Sequence, residues 1–84
     1  MLEREAVLQR IVEFLARFNE KGVVIGPETD LAADLEIDSV AAMDLVMEIE
    51  DAFDLDIPIN EFADLRTVGD LVELVLRQKG DGAG

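Results

Sequence analysis

Apolar residues recur at helical spacing in three stretches of this 84-residue chain, and nowhere do they alternate as they do in a half-buried strand. The first stretch runs from Glu3 to about Asn19, the second from Ser39 to Phe53, and the third begins at Thr67. Such spacing predicts helices that each bury one face against a common core. We therefore expect an all-α fold built on three main helices.

A long connection separates the first two predicted helices. Gly22, Gly26 and Pro27 interrupt the helical pattern, and the only apolar cluster nearby is at residues 23–25. A connection spanning 21–37 in so small a domain is either functional or partly packed. Its length favours a crossover over simple up-down-up packing.

Local capping signals mark where the helices begin. Asp38 is a strong N-cap for the second helix, and Thr67 with Asp70 makes a variant of the capping box at the last one. Asn60 is expected to cap a short helical turn over residues 60–65. The predicted fold is a four-helix bundle with three main helices, one short helix and a long first loop.

Chain length predicts a single domain over residues 1–79 with a thin core, because a chain this small buries only about 60% of its unfolded surface. Residues 80–84 have nothing to bury and are predicted to be disordered. The amino terminus carries acids where a signal peptide needs basic residues, and no apolar run reaches about 18 residues. We expect a cytoplasmic monomer that does not insert into membranes.

The chain contains neither Cys nor His. The missing cysteines exclude disulfides, thiolate metal sites and thiol nucleophiles. The missing histidines remove the usual general base and the commonest metal ligand. We therefore expect no metal site and no enzymatic activity.

Negative charge is concentrated in the middle of the chain. The net charge is -13, and the segment 22–65 holds thirteen acids without one Lys or Arg. This field repels nucleic acid and anionic membranes and steers the protein towards basic partner surfaces. The alternative is that the acids only keep a small protein soluble.

The second predicted helix has two apolar faces. One face suits a core, and the other interleaves apolar side chains with carboxylates. We interpret this second face as a docking surface for partners, on which the charges steer and the Met side chains adapt. The alternative is a helix that buries both faces within the bundle. The predicted docking surface consists of Val40, Met43, Asp44, Met47, Glu48, Glu50 and Asp51.

Ser39 stands at the start of this helix with no residue to activate it. A nucleophilic serine needs a neighbouring base, and Asp38 is expected to stay ionised as the cap. Ser39 therefore does not suit hydrolysis, and we expect another protein to modify it. Simple capping by the Asp-Ser pair is the alternative.

These residues resemble the acyl carrier protein family. The sequence Asp38-Ser39-Val40 resembles the Asp-Ser-Leu attachment motif of that family, and the similarity continues through residues 45–47, 49–51, 53–54 and 57–58 to the Thr67 region. The resemblance implies that Ser39 carries 4′-phosphopantetheine, donated from coenzyme A by a Mg-dependent phosphopantetheinyl transferase. The thiol of that arm would hold acyl groups as thioesters and present them to lipid or polyketide biosynthesis enzymes with basic docking surfaces.

The resemblance also implies a shelter for the acyl chain among the helices. Its candidate lining residues are explained equally well by ordinary core packing. They are Val24, Leu45, Ile49, Ile57 and Phe62.

Three positions near the motif depart from the family pattern. Val40 replaces the usual Leu, Ala41 replaces a common acid, and Met43 replaces a common Val. The lost acid is expected to weaken docking to general fatty-acid enzymes. The departures favour a specialised carrier that serves a dedicated pathway.

Three other classes of protein are alternatives to an acyl carrier. Aminoacyl and peptidyl carriers share the fold and the arm, but residues 36–39 do not resemble their Gly-Gly-His/Asp-Ser motif. Calcium-binding loops require ligands at fixed positions and Gly at position 6, which neither acidic cluster provides. An unmodified acidic docking module remains a further alternative.

Overall fold

The computed structural model describes residues 3–78, which form four helices. A short 3₁₀ turn, Ala16–Phe18, continues the first helix. Among these residues the only β pairing is an isolated bridge between Asp30 and Thr67. The structure confirms the predicted all-α fold with three main helices and one short one. The helices are α1 (Arg4–Leu15), α2 (Ser39–Phe53), α3 (Ile59–Ala63) and α4 (Val68–Leu76).

The core is aliphatic and centres on α4. Helix α1 buries Val7, Ile11 and Leu15, which are spaced four residues apart and so lie on one face. That face contacts both α4 and α2. Helix α4 is buried on most of its surface, which explains why its sequence is more apolar than that of the other helices. Its buried side chains are Val68, Leu71, Val72, Leu74 and Val75.

Helix α2 has the bounds that the sequence predicts. Asp38 caps its first turn, and Leu45, Val46 and Ile49 enter the core. The helix ends where Asp54 adopts a left-handed conformation with φ of 53°. Its end therefore precedes Pro58, which is not needed to stop the helix.

The long connection between α1 and α2 is partly packed, as one of its two interpretations predicted. Leu31 and Leu35 are buried. The Leu31 N–H donates to the Arg66 carbonyl at 2.9 Å, and the Val68 N–H donates to the Thr29 carbonyl at 2.9 Å. These bonds fasten the connection to the start of α4, and the side chains behind them complete the core.

Two local predictions are wrong. Helix α3 begins at Ile59, with Pro58 as an N-cap that offers no side-chain bond, so Asn60 does not cap it. The fixed φ of proline already suits a helix start, and the Pro58 carbonyl accepts the N–H of Phe62 at 3.0 Å. Val24 is 93% exposed and belongs to neither core nor shelter. The predicted tail, 80–84, lies outside the described residues.

Candidate functional site

Ser39 is the first residue of α2, and its neighbour supplies the helix cap. The Asp38 Oδ1 accepts the N–H of Ala41 at 2.9 Å, and the Asp38 carbonyl accepts the N–H of Ala42 at 2.8 Å. Asp38 therefore satisfies the donors that a serine cap would otherwise bond. The Ser39 side chain is exposed to solvent and is not needed for capping.

The hydroxyl groups of the chain differ in what they bond. The sequence has three hydroxyl side chains, Ser39, Thr29 and Thr67. The Thr29 hydroxyl accepts the Gly26 N–H at 2.8 Å, and the Thr67 hydroxyl accepts the Asp70 N–H at 3.2 Å. Within residues 3–78, only the Ser39 hydroxyl makes no hydrogen bond. It is the one hydroxyl available as an acceptor for a transferred group.

Two ionisable side chains near the start of α2 are already engaged, since Asp38 caps the helix and Lys21 pairs with Glu36. Lys21 lines a polar cleft together with Asp38, but the hydrogen bond that it donates to the Glu36 carboxylate, and the negative charge of Glu36, raise the pKa of Lys21 above its ordinary value. Lys21 therefore stays protonated at neutral pH. This arrangement suits a serine that is modified by another protein.

An open apolar cleft of about 620 Å³ lies beside Ser39, between α2, α3 and the connection. Phe62 lines it, as the sequence suggested, whereas Leu45, Ile49 and Ile57 are buried in the core. Sequence reasoning missed several lining residues that depend on the path of the connection. The position of Ile37, just before the motif, was the one available signal. The large apolar residues that were missed are Leu31, Ile37, Ile59 and Leu65.

The second apolar face of α2 is exposed. Val40, Met43 and Met47 have exposed fractions of 77%, 58% and 66%. The alternative in which the bundle buries both faces of α2 is therefore wrong. Ile59, 59% exposed at the start of α3, shares a shallow pocket with Met43 and Met47 and extends the apolar strip.

The four acids of the predicted docking surface differ in their surroundings. Glu48 and Asp44 pair with Arg17. The Glu50 Oε2 accepts the N–H of Ile57 at 2.8 Å and so braces the segment between α2 and α3. Asp51 is exposed and has no partner among residues 3–78. The acids that the sequence placed together thus share one helix face but have different roles within the fold.

Two other kinds of site were considered. No cluster of three or more acidic side chains that could hold a metal ion occurs within residues 3–78. Over the same residues, no helix has the length and hydrophobicity to cross a bilayer.

Comparisons with known proteins identify the class of site. A family model described as the phosphopantetheine attachment site matches residues 5–75. The acyl carrier protein of Rubrobacter xylanophilus is 35% identical over 79 residues, which cover 93% of this chain and 98% of that protein. The acyl carrier protein of Syntrophobacter fumaroxidans is 36% identical over 77 residues, covering 88% and 93%.

A solved structure agrees with these sequence matches. The crystal structure of an acyl carrier protein from Thermotoga maritima superimposes with a TM-score of 0.70 at 29% identity, covering 93% of this chain and 94% of that one. The fold and the family model together define a phosphopantetheine-binding carrier. This chain belongs to the acyl carrier protein family. It is a carrier and not a catalyst, and its prosthetic group is 4′-phosphopantetheine.

Proposed function

We propose that Ser39 carries the phosphopantetheine arm. The observation that supports this assignment is that, of the three side-chain hydroxyls, only that of Ser39 makes no hydrogen bond within residues 3–78. Its position at the first turn of α2 also suits a phosphodiester, because the N-terminus of a helix favours an anion. No acid occupies that first turn. The cleft beside Ser39 gives an attached chain an apolar surface to contact.

The proposed cargo is an acyl intermediate held as a thioester on the arm and delivered to enzymes of lipid or polyketide biosynthesis. The departures at Val40, Ala41 and Met43 support a specialised carrier, because two of these side chains are exposed beside the attachment point. Loading by general fatty-acid enzymes in a reconstituted assay tests this. We expect slow loading, and loading as efficient as that of a housekeeping carrier would contradict the specialised role.

The proposed partners dock on the exposed face of α2 with basic surfaces of their own. Val40, Met43 and Met47 form the apolar strip, and acids rim it. At such a surface the apolar contacts contribute binding affinity, while the charges speed the encounter and fix the orientation of the partner. The phosphopantetheinyl transferase is the first such partner, since it must approach Ser39 at one end of this face.

Mass spectrometry tests the attachment site. The purified protein is incubated with coenzyme A, Mg²⁺ and a promiscuous phosphopantetheinyl transferase, and the Ser39→Ala variant is treated in parallel. We expect a gain of one phosphopantetheinyl group in the wild type and none in the variant. A gain in both proteins would refute the assignment to Ser39, and a gain in neither would likewise contradict Ser39 as the acceptor.

A further inference from the structure

Arg17 bridges the end of α1 and the docking face of α2. It lies in the 3₁₀ turn Ala16–Phe18, and its guanidinium forms an ion pair with Glu48. The same Nη2 atom is 3.8 Å from Oδ2 of Asp44. The guanidinium carbon also lies 5.0 Å from the centre of the Phe18 ring, which helps to hold the side chain in place. A cation from another helix therefore lies within the predicted docking surface.

Because of Arg17, a partner that docks on α2 does not encounter four unpaired carboxylates. Arg17 pairs with Asp44 and Glu48, and Glu50 is engaged with the backbone of Ile57. Asp51 alone among the four acids has no partner within residues 3–78. A basic partner surface therefore competes with Arg17 for the two acids nearest to the Ser39 end of the helix.

We propose that Arg17 is a specificity-determining residue that masks Asp44 and Glu48 against weakly basic surfaces. The partner that it selects is a protein surface with several Lys or Arg side chains, because one cation gains little by exchanging places with another. This inference rests on the proposed docking role of α2. It does not require that Ser39 accept the arm.

The mask is weak enough to be displaced. The side chains of Arg17, Glu48 and Asp44 are 52%, 34% and 70% exposed, so solvent screens both pairs. Exposed ion pairs of this kind contribute little, and salt weakens them further. Removing Arg17 is therefore expected to strengthen docking by about two- to fivefold at low salt, the factor that corresponds to an exposed pair.

The chain provides a matched control for this substitution. Arg10 lies on α1, pairs with Glu13 at 3.7 Å and lies 5.3 Å from the Phe14 ring centre. Arg10→Gln changes the net charge as Arg17→Gln does and removes the same kind of ring contact. Only Arg17 touches the docking face of α2. A difference between the two variants therefore reports the local mask and not the overall charge.

Binding to an immobilised phosphopantetheinyl transferase without coenzyme A tests the proposal. Dissociation constants are measured for the wild type, Arg17→Gln and Arg10→Gln at about 50 mM and about 500 mM salt, a range over which screening becomes strong. We expect Arg17→Gln to bind about two- to fivefold more tightly than Arg10→Gln at low salt, and equally at high salt. Equal binding of the two variants at low salt would overturn the proposal.

A double-mutant cycle separates masking from a change in folding. Glu48→Gln is expected to weaken binding by a larger factor in the Arg17→Gln background than in the wild type, because the acid is unmasked there. A factor that is equal or smaller would contradict masking. Circular dichroism confirms that each variant is folded. Because no arm is transferred in this assay, its result is independent of the mass measurement on Ser39.

Discussion

Helices α2 and α4 both begin with a side-chain N-cap, but the capping group is different in the two helices. At α4 the Thr67 hydroxyl accepts the Asp70 N–H at 3.2 Å, and Asp70 accepts the Thr67 N–H at 3.2 Å. At α2 a carboxylate, Asp38, caps the helix. The cap of α4 therefore consumes its hydroxyl, whereas α2 begins with a hydroxyl, on Ser39, that no cap requires.

The two starts also differ in what covers them. Val68 and Gly69, the first residues of α4, are buried beneath the connection, and the Gly69 N–H donates to the Pro27 carbonyl at 2.8 Å. The equivalent residues of α2, Ser39 and Val40, are exposed. One helix start closes the core and the other faces solvent. A carboxylate cap and an uncovered first turn together leave the Ser39 hydroxyl accessible to a modifying protein.

Gly69→Ala tests how tightly the connection packs against the first turn of α4, and it has the largest expected effect. A β-carbon at this position would lie 2.9 Å from the Pro27 carbonyl oxygen, and the backbone there is tied down by hydrogen bonds. We expect the free energy of unfolding to fall by about 1 to 3 kcal/mol, as in other overpacked sites. Urea denaturation measures this loss.

The matched substitution at α2 is Val40→Ala. Because Val40 is 77% exposed, the change in the free energy of unfolding should stay within about 0.5 kcal/mol. For Gly69→Ala the opposite outcome is informative, because alanine is ordinarily favoured over glycine within a helix. A Gly69→Ala variant that is more stable than the wild type would show that the connection does not pack tightly against the start of α4.

Removal of the two hydroxyls compares the caps directly. Thr67→Ala deletes the acceptor of the Asp70 N–H and is expected to cost about 1 kcal/mol of stability, the usual effect of a lost N-cap. Ser39→Ala should change stability by less than about 0.5 kcal/mol, since its hydroxyl makes no hydrogen bond in the described part of the chain. Thermal unfolding monitors both variants, with Thr67→Ser as the control that keeps the cap. Equal losses for Thr67→Ala and Ser39→Ala would show that Ser39 contributes to capping.

The smallest expected effect is the pH dependence of the α4 cap. Hydrogen bonds from the backbone N–H groups of Thr67 and Arg66 lower the pKa of Asp70. A lowered pKa in the folded state adds stability above the unfolded value of about 3.9, and this contribution is lost as the pH falls through the folded value. The contribution should be below about 1 kcal/mol because the group is exposed.

Urea denaturation of the wild type and Asp70→Asn between neutral pH and about pH 3 measures this contribution. The wild type should be the more stable protein at neutral pH, and the difference should narrow below about pH 4. A difference that stays constant over the whole range would show that Asp70 does not act through its charge.

The parts of the fold that sequence reasoning predicted correctly are those governed by close neighbours along the chain. The start of α2 at Ser39 and the capping box at Thr67 follow from side chains that bond within one turn. The predicted start of α3 was wrong because Asn60 was expected to cap the helix, whereas the backbone of Pro58 makes such a cap unnecessary. Val24 was misplaced because its orientation depends on how the connection turns, which no local signal encodes.

The site also has some features that depend on neighbouring residues and others that depend on tertiary packing. The proposal of Ser39 as the attachment residue rests on local signals, because Asp38 caps the helix next to it and the chain has no His to activate a serine. The cleft was only partly predictable, since Leu31 and Ile59 reach it through the folding of the connection and α3. The ion pair of Arg17 with Glu48 could not be predicted, because it joins the 3₁₀ turn after α1 to α2, two segments that are far apart in the chain.

Neighbouring residues were enough to predict the three main helices, the caps of α2 and α4, and the second apolar face of α2. Helical spacing and capping act over one or two turns, so neighbouring residues carry the information. Tertiary structure alone decided that the start of α4 is covered by Pro27, and that Arg17 lies against the acids of α2. These contacts join residues far apart in the chain, and the packing of the aliphatic core fixes their distances.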